Sequence, residues 1–170
     1  ESGGSLTING NFEPSTGLIT NYGTVTINGN MNMNAGSFYN STPSSILTLA
    51  PTFTYTINNA ASKLVNDGTM TIDNFIIKAS SVGSLCLGSY SCLTTKDFTN
   101  NQTNGVSGGG AGFCGGTIVY TGKAYLNNAV ASESTVRICE GASASVDQAW
   151  MLPNWSSVTL TSNCAGCGSV

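Results

Sequence analysis

Histidine is absent from the 170 residues, and only 8% of them are Asp, Glu, Lys or Arg, against roughly a quarter in ordinary soluble domains. Without His, and with a single Arg (Arg137), no catalytic triad or dyad of the usual kind can be assembled. The five basic residues, Lys63, Lys78, Lys96, Lys123 and Arg137, are scattered. Nucleic acid calls for a basic stripe to neutralise phosphates, so no nucleic-acid partner is expected. No apolar run approaches the roughly eighteen residues of a membrane helix, so no membrane insertion is expected. A charge-rich disordered chain is excluded too, because 40% of the residues are hydrophobic and such chains are poor in them. The polar surface must therefore be built from Asn, Thr, Ser and Gly.

What is present is a repeated phrase. Gly4-Ser5-Leu6-Thr7-Ile8-Asn9-Gly10-Asn11-Phe12 returns as Gly23-Thr24-Val25-Thr26-Ile27-Asn28-Gly29-Asn30-Met31. A third version is Gly68-Thr69-Met70-Thr71-Ile72-Asp73-Asn74-Phe75, and a partial one is Thr54-Tyr55-Thr56-Ile57-Asn58-Asn59. In each, two apolar residues flank a Thr, so the apolar pair faces one way and the Thr the other, the period-2 mark of a half-buried strand. Asn and Gly follow, and both tolerate the backbone of a tight turn. A short strand, a polar corner and a recurrence of roughly twenty residues is the pattern of a solenoid coil. The expectation is an all-β fold, a parallel β-helix, with Leu6/Ile8, Val25/Ile27, Tyr55/Ile57 and Met70/Ile72 stacked inward rung upon rung.

Residues 1–79 carry the regular repeats. Further strands are expected at Gly17–Thr20, Ser37–Tyr39, Ile46–Leu49 and Lys63–Val65, with Pro14, Pro43 and Pro51 between strands, where a missing N–H costs no ladder bond. Residues 80–170 hold all six cysteines and lose the Thr-Ile-Asn phrase. Strands are expected there at Ser84–Leu87, Gly116–Tyr120, Lys123–Leu126, Thr135–Cys139 and Ser157–Leu160. No segment has a convincing helical period; Ala142 to Leu152 comes nearest. Turn signals continue every eight to twelve residues, so the reading is a single solenoid domain over 1–170 with irregular, disulfide-bearing rungs in its second half. A separate small β-sandwich is the alternative for that half.

The phrase Gly23–Met31 and the run Ser91-Cys92-Leu93-Thr94-Thr95-Lys96-Asp97-Phe98-Thr99-Asn100-Asn101 resemble the secreted, adhesin-like β-helix repeat proteins of Bacteroidota. The resemblance implies export by the type IX route and a place in a surface or extracellular protein. It also implies a role in adhesion or surface structure, with no catalytic residues to carry over. Proteins of that family often end in a sorting domain that is cleaved off, and none is expected within these residues. The start at Glu1 is read as that of a mature, processed chain, and six cysteines agree with an oxidising exterior. The expected location is extracellular, at the cell surface.

Cys164-Ala165-Gly166-Cys167 is a C-x-x-C, but no helix follows it to lower a thiol pKa. A zinc site with Cys86 and Cys92 competes poorly with disulfide formation outside the cell. Structural disulfides are expected instead, with Cys86–Cys92 and Cys164–Cys167 as local closures and Cys114–Cys139 between rungs. No cofactor and no metal are implied. Glycoside hydrolysis needs two carboxyl groups on one face. Asp67 and Asp73 read as turn and corner residues, and Glu133, Glu140 and Asp147 cannot be gathered onto one face.

Three surfaces stand as candidate sites. Thr7, Thr26, Thr56 and Thr71 share one repeat position and form an outward ladder, similar to the flat Thr arrays of ice-binding solenoids; high β propensity alone also places Thr there. Trp150 and Trp155 either stack on sugar rings or cap the end of the core. Ser5, Leu6, Thr7 and Ile8 form an N-terminal strand preceded only by Glu1-Ser2-Gly3-Gly4, with no Lys or Pro to guard its edge. The expected function is therefore a structural or adhesive extracellular protein, a subunit of a self-assembling, head-to-tail homopolymeric filament. A binding module for surface polysaccharide or for ice is the alternative. A polysaccharide-degrading β-helix enzyme ranks behind both, so catalysis is not expected.

Overall fold

The computed structural model describes residues 3–58, 62–78, 85–87, 91–100, 117–126, 136–140, 145–146 and 158–162. Among these the chain is all-β, with no helix. In chain order the strands are β1 (Ser5–Asn9), β2 (Leu18–Asn21), β3 (Thr24–Asn28), β4 (Met31–Met33), β5 (Ser37–Asn40), β6 (Ile46–Leu49), β7 (Thr54–Ile57) and β8 (Lys63–Asn66). They continue as β9 (Thr69–Ile77), β10 (Leu85–Leu87), β11 (Cys92–Asn100), β12 (Thr117–Tyr120), β13 (Lys123–Leu126), β14 (Val136–Glu140), β15 (Ser145–Val146) and β16 (Val158–Ser162).

The strands pair in parallel, each with its equivalent in the next coil, which makes the fold a β-solenoid. A first face runs β1-β3-β6-β9-β11-β12-β14-β16. A second face stacks β4, β7, the C-terminal half of β9, the C-terminal half of β11, β13 and β15. A third face is β2-β5-β8-β10. Equivalent residues lie from 19 to 26 positions apart, so the coils differ in length while their strands stay in step. The strands of the second half join the same parallel sheet as those of the first; they do not build the antiparallel sheets of a sandwich.

Alternation sets the interior. Along β3 the residues Val25 and Ile27 are buried, while Thr24 and Thr26 between them are half-exposed. Leu6, Val25, Leu47, Met70 and Leu93 occupy one register column, which continues through Ile118 and Ile138 to Leu160. On the second face Met31 is followed by Tyr55, Phe75 and Phe98. The last three stack ring on ring, at centroid distances of 5.1 and 5.6 Å. On the third face Ile19, Phe38 and Leu64 are in register. Full burial of each such side chain contributes roughly 1.5–3 kcal/mol, which is why the columns, not the corners, hold the coils together.

The corner between the third and first faces is built from amides and very small residues. Asn21, Asn40 and Asn66 end their strands in one buried column. Asn21 Nδ2 donates to Asn40 Oδ1 at 2.8 Å and Asn40 Nδ2 to Asn66 Oδ1 at 2.7 Å. The same amides donate to carbonyls across the corner, Asn21 to Ile46 O at 2.9 Å and Asn66 to Gly68 O at 2.9 Å. Gly23 and Gly68 return the bond by donating their N–H groups to Asn21 Oδ1 and Asn66 Oδ1. A Cβ on Gly23 would strike the carbonyl oxygen of Gly4 in the preceding coil, and one on Gly68 would strike that of Ser45. Glycine is needed here because backbone approaches backbone, not for any unusual φ. A sharp turn into a hydrophobic interior would otherwise strand buried polar groups; the amide ladder satisfies them.

The expected strand positions agree with β2, β5, β6, β8, β10, β12, β13, β14 and β16, and Pro14, Pro43 and Pro51 all lie between strands. One rung assignment is corrected. Tyr55 and Ile57 do not stack on Val25 and Ile27; they stack on Met31 and Met33 of the second face. The place in the first face falls to β6, with Leu47 on Val25 and Leu49 on Ile27. The Thr-x-Thr-Ile phrase fits any half-buried strand of a coil, so by itself it does not say which face it belongs to.

Candidate functional site

β1 is the first strand of the stack, and no described strand covers its outer edge. Gly4 O accepts from Thr24 N at 2.8 Å, and Gly10 N donates to Asn28 O at 3.1 Å. Backbone groups alternate sides along a parallel strand, so those of Leu6 and Ile8 also face β3. The N–H and C=O groups of Ser5, Thr7 and Asn9 therefore point along the solenoid axis, away from the stack. Leu6 occupies the inward column, as expected, but is 53% exposed, and Leu18 on β2 is 60% exposed. Ile8, Phe12 and Ile19 are partly buried against the core. The rung thus presents apolar side chains together with strand groups that have no partner strand among the described residues, the features that sheet edges ordinarily suppress with charge or proline.

Side-chain ladders run to the same rung along the opposite corner. Asn28 Nδ2 donates to Asn9 Oδ1 at 2.8 Å and Asn32 Nδ2 to Glu13 Oε1 at 2.9 Å. Asn30 N donates to Asn11 Oδ1 at 3.0 Å. The second coil repeats the pattern, Thr54 N on Asn30 Oδ1 and Asn58 Nδ2 on Asn34 Oδ1, both at 2.9 Å. The first two coils therefore each offer acceptors to the coil that follows.

The threonine array is longer than expected and composed differently. Thr7, Thr26, Thr48, Thr71 and Thr94 occupy one column on five successive coils. They range from half-buried to exposed on the outer side of the first face. Thr56 is not among them: it pairs with Asn32 and Ile76 on the second face and is 7% exposed. The neighbouring column runs Ser5, Thr24, Ile46, Thr69, with Ile46 39% exposed. Thr48 and Thr94 escaped the repeat because their strands, Ile46–Leu49 and Cys92–Asn100, lack the Thr-Ile-Asn phrase around them.

Asp67 and Asp73 keep to corner positions, whereas Glu140 lies on β14 and Glu133 and Asp147 lie outside the described residues. Asp73 lies within β9 and accepts from Thr52 N at 3.0 Å; Thr52 holds a left-handed φ of 74°. Asp67 sits in the turn between β8 and β9. Among the described residues no group of three His, Cys, Asp or Glu side chains is gathered as a metal site, and no helix is long and apolar enough to cross a membrane. Tyr55 is fully buried, its hydroxyl has no hydrogen-bond partner among the described residues, and burial pushes its pKa well up.

Cys92 is buried at the start of β11. Cys86 and Cys139 lie on β10 and β14; Cys114, Cys164 and Cys167 lie outside the described residues, and with them the expected Cys114–Cys139 and Cys164–Cys167 pairings. Trp150 and Trp155 also lie outside. The asparagine ladder was missed in the sequence, although its signal is there: Asn21-Tyr22-Gly23 and Asn66-Asp67-Gly68 each stand directly before a Thr-x-Thr strand. Comparison with protein families, with curated proteins and with solved structures finds no match for this chain, so its candidate site is defined by its own geometry.

Proposed function

We propose that the protein is an extracellular structural and adhesive protein whose subunits associate head to tail into a surface filament. The observation that carries this reading is the terminal rung: Leu6 is exposed in the register column that buries Val25 one coil further in, and Ile19 is only partly buried in the column that buries Phe38. A second copy placed on that rung buries apolar surface and completes ladder bonds in one contact. Such a contact repeats without closing and gives an open fibre. No catalytic role and no cofactor belong to this reading, and the six cysteines are assigned to disulfides, as suits an oxidising exterior.

Negative-stain microscopy of the 170-residue chain at high concentration tests it. Filaments are expected, and the variant Leu6→Lys should give monomers with a melting temperature close to that of the parent. A parent chain that stays monomeric overturns the proposal.

The unbroken Thr column favours a second reading, a binding module for polysaccharide or ice. Hydroxyl and methyl groups recur there at the strand spacing of about 4.8 Å, in a column that holds no charged residue over these five coils. Inhibition of ice recrystallisation, or glycan-array binding, that disappears in Thr48→Lys would favour it over the filament.

A further inference from the structure

We infer that the junction between subunits is one more rung of the solenoid: β1 of one copy adds as a parallel strand to the outer edge of β16 of another, with Leu6 set on Leu160 and Thr7 on Thr161. This inference rests on the filament reading and specifies its contact.

Strand direction comes first. From β1 to β16 every neighbour on the first face is parallel, and among the described residues no strand lies beyond β16. Head-to-tail stacking therefore pairs two edges that already run the same way, and each addition exposes the same edge again. A head-to-head contact would set β1 against β1 in antiparallel fashion and stop at a dimer.

Register comes next. The Leu6 column is apolar at each of its positions through to Leu160. Beside it, Thr161 ends the column that Thr7 begins. Setting Leu6 on Leu160 continues both. A slip of one residue would place Thr7 in the apolar column and invert the faces. A slip of two keeps the faces, with Leu6 on Val158 and Ile8 on Leu160, but displaces the whole coil by about 6.6 Å along the strand. The corners would then fall out of step. Gly4 stands in the small-residue column of Gly23, Ser45 and Gly68, each of which accepts a bond from the first strand residue of the next coil. Asn21 heads the asparagine ladder. Both devices depend on coils stacking without slip.

Paired cysteines read the register directly, because parallel neighbours lie about 4.8 Å apart, within disulfide reach. Thr7→Cys/Thr161→Cys, held with oxidised glutathione at a concentration where filaments form, should give a ladder of covalent oligomers on a non-reducing gel. Mass spectrometry should find the peptide pair containing positions 7 and 161. Thr7→Cys/Thr159→Cys, which matches the two-residue slip, should stay a single band, as should each single variant. A ladder from the 159 pair instead of the 161 pair overturns the register and leaves the filament reading standing. Filaments in which neither pair crosslinks overturn the β1–β16 junction. A parent chain without filaments removes the reading on which the inference rests.

Discussion

Asn40 is fully buried, and its Nδ2 donates to Asn66 Oδ1 at 2.7 Å and to Ser45 O and Thr69 O, each at 3.2 Å. Asn40→Ala strips partners from Asn21 Nδ2, Asn66 Oδ1 and two carbonyls at once. Buried polar groups left unpaired are costly, so denaturant melts should show a loss of about 3 kcal/mol. Asn28→Ala removes an exposed amide pair of similar geometry, and the cost should stay under about 0.5 kcal/mol. Similar costs for the two variants would mean that burial does not govern the ladder. Tyr55 makes the converse case, since its buried hydroxyl has no partner among the described residues. Tyr55→Phe should stabilise by about 1 kcal/mol at neutral pH. Its raised folded-state pKa means that the unfolded state releases the phenolic proton first. Stability tied to the neutral phenol is thus full below the unfolded value and declines as pH rises above about 10. Tyr55→Phe should flatten that alkaline decline, measured as melting temperature against pH. Of these residues the sequence announced little: an Asn before a turn looks the same whether its amide faces water or the interior.

Within single strands the sequence was far more readable. Alternation of apolar residues with Thr fixes which side chains enter the coil, and β3 follows it residue by residue. Ile27→Asp places an unpaired carboxylate in a fully buried column and should cost several kcal/mol, on the order of 4. Thr26→Asp, one position along on the outer side, should cost less than about 1 kcal/mol. Thermal melts of the two variants check the assignment, and equal losses would contradict it. Strand boundaries were less legible where a strand spans two faces. β9 and β11 run nine residues each, turning from the first face to the second without a Gly or Pro to mark the bend. The Thr54–Ile57 phrase was misplaced for a related reason: a local pattern records inside and outside but not which neighbour it meets.

At the scale of the molecule, a solenoid is held by nearest-neighbour contacts between coils, so its stability is graded along the axis. In the monomer, amide exchange should be fastest in β1, which has a described neighbour on one side only, and slowest in β6 and β9, which have one on each side. Assembly should slow exchange in β1 while leaving β6 and β9 little changed. Protection of β1 already complete in the monomer would show that its edge is covered within the subunit.

The sequence by itself determined the fold class, the inward and outward faces of most strands and the placing of prolines between them. These follow from side-chain chemistry at a period of two, which needs no partner to be read. Tertiary structure alone decided which strands stack on which, and with them the five-membered Thr column, the Tyr55–Phe75–Phe98 stack and the asparagine ladder. Coil lengths vary from 19 to 26 residues, so register between coils is set by where amides and side chains meet in space, not by a constant spacing along the chain.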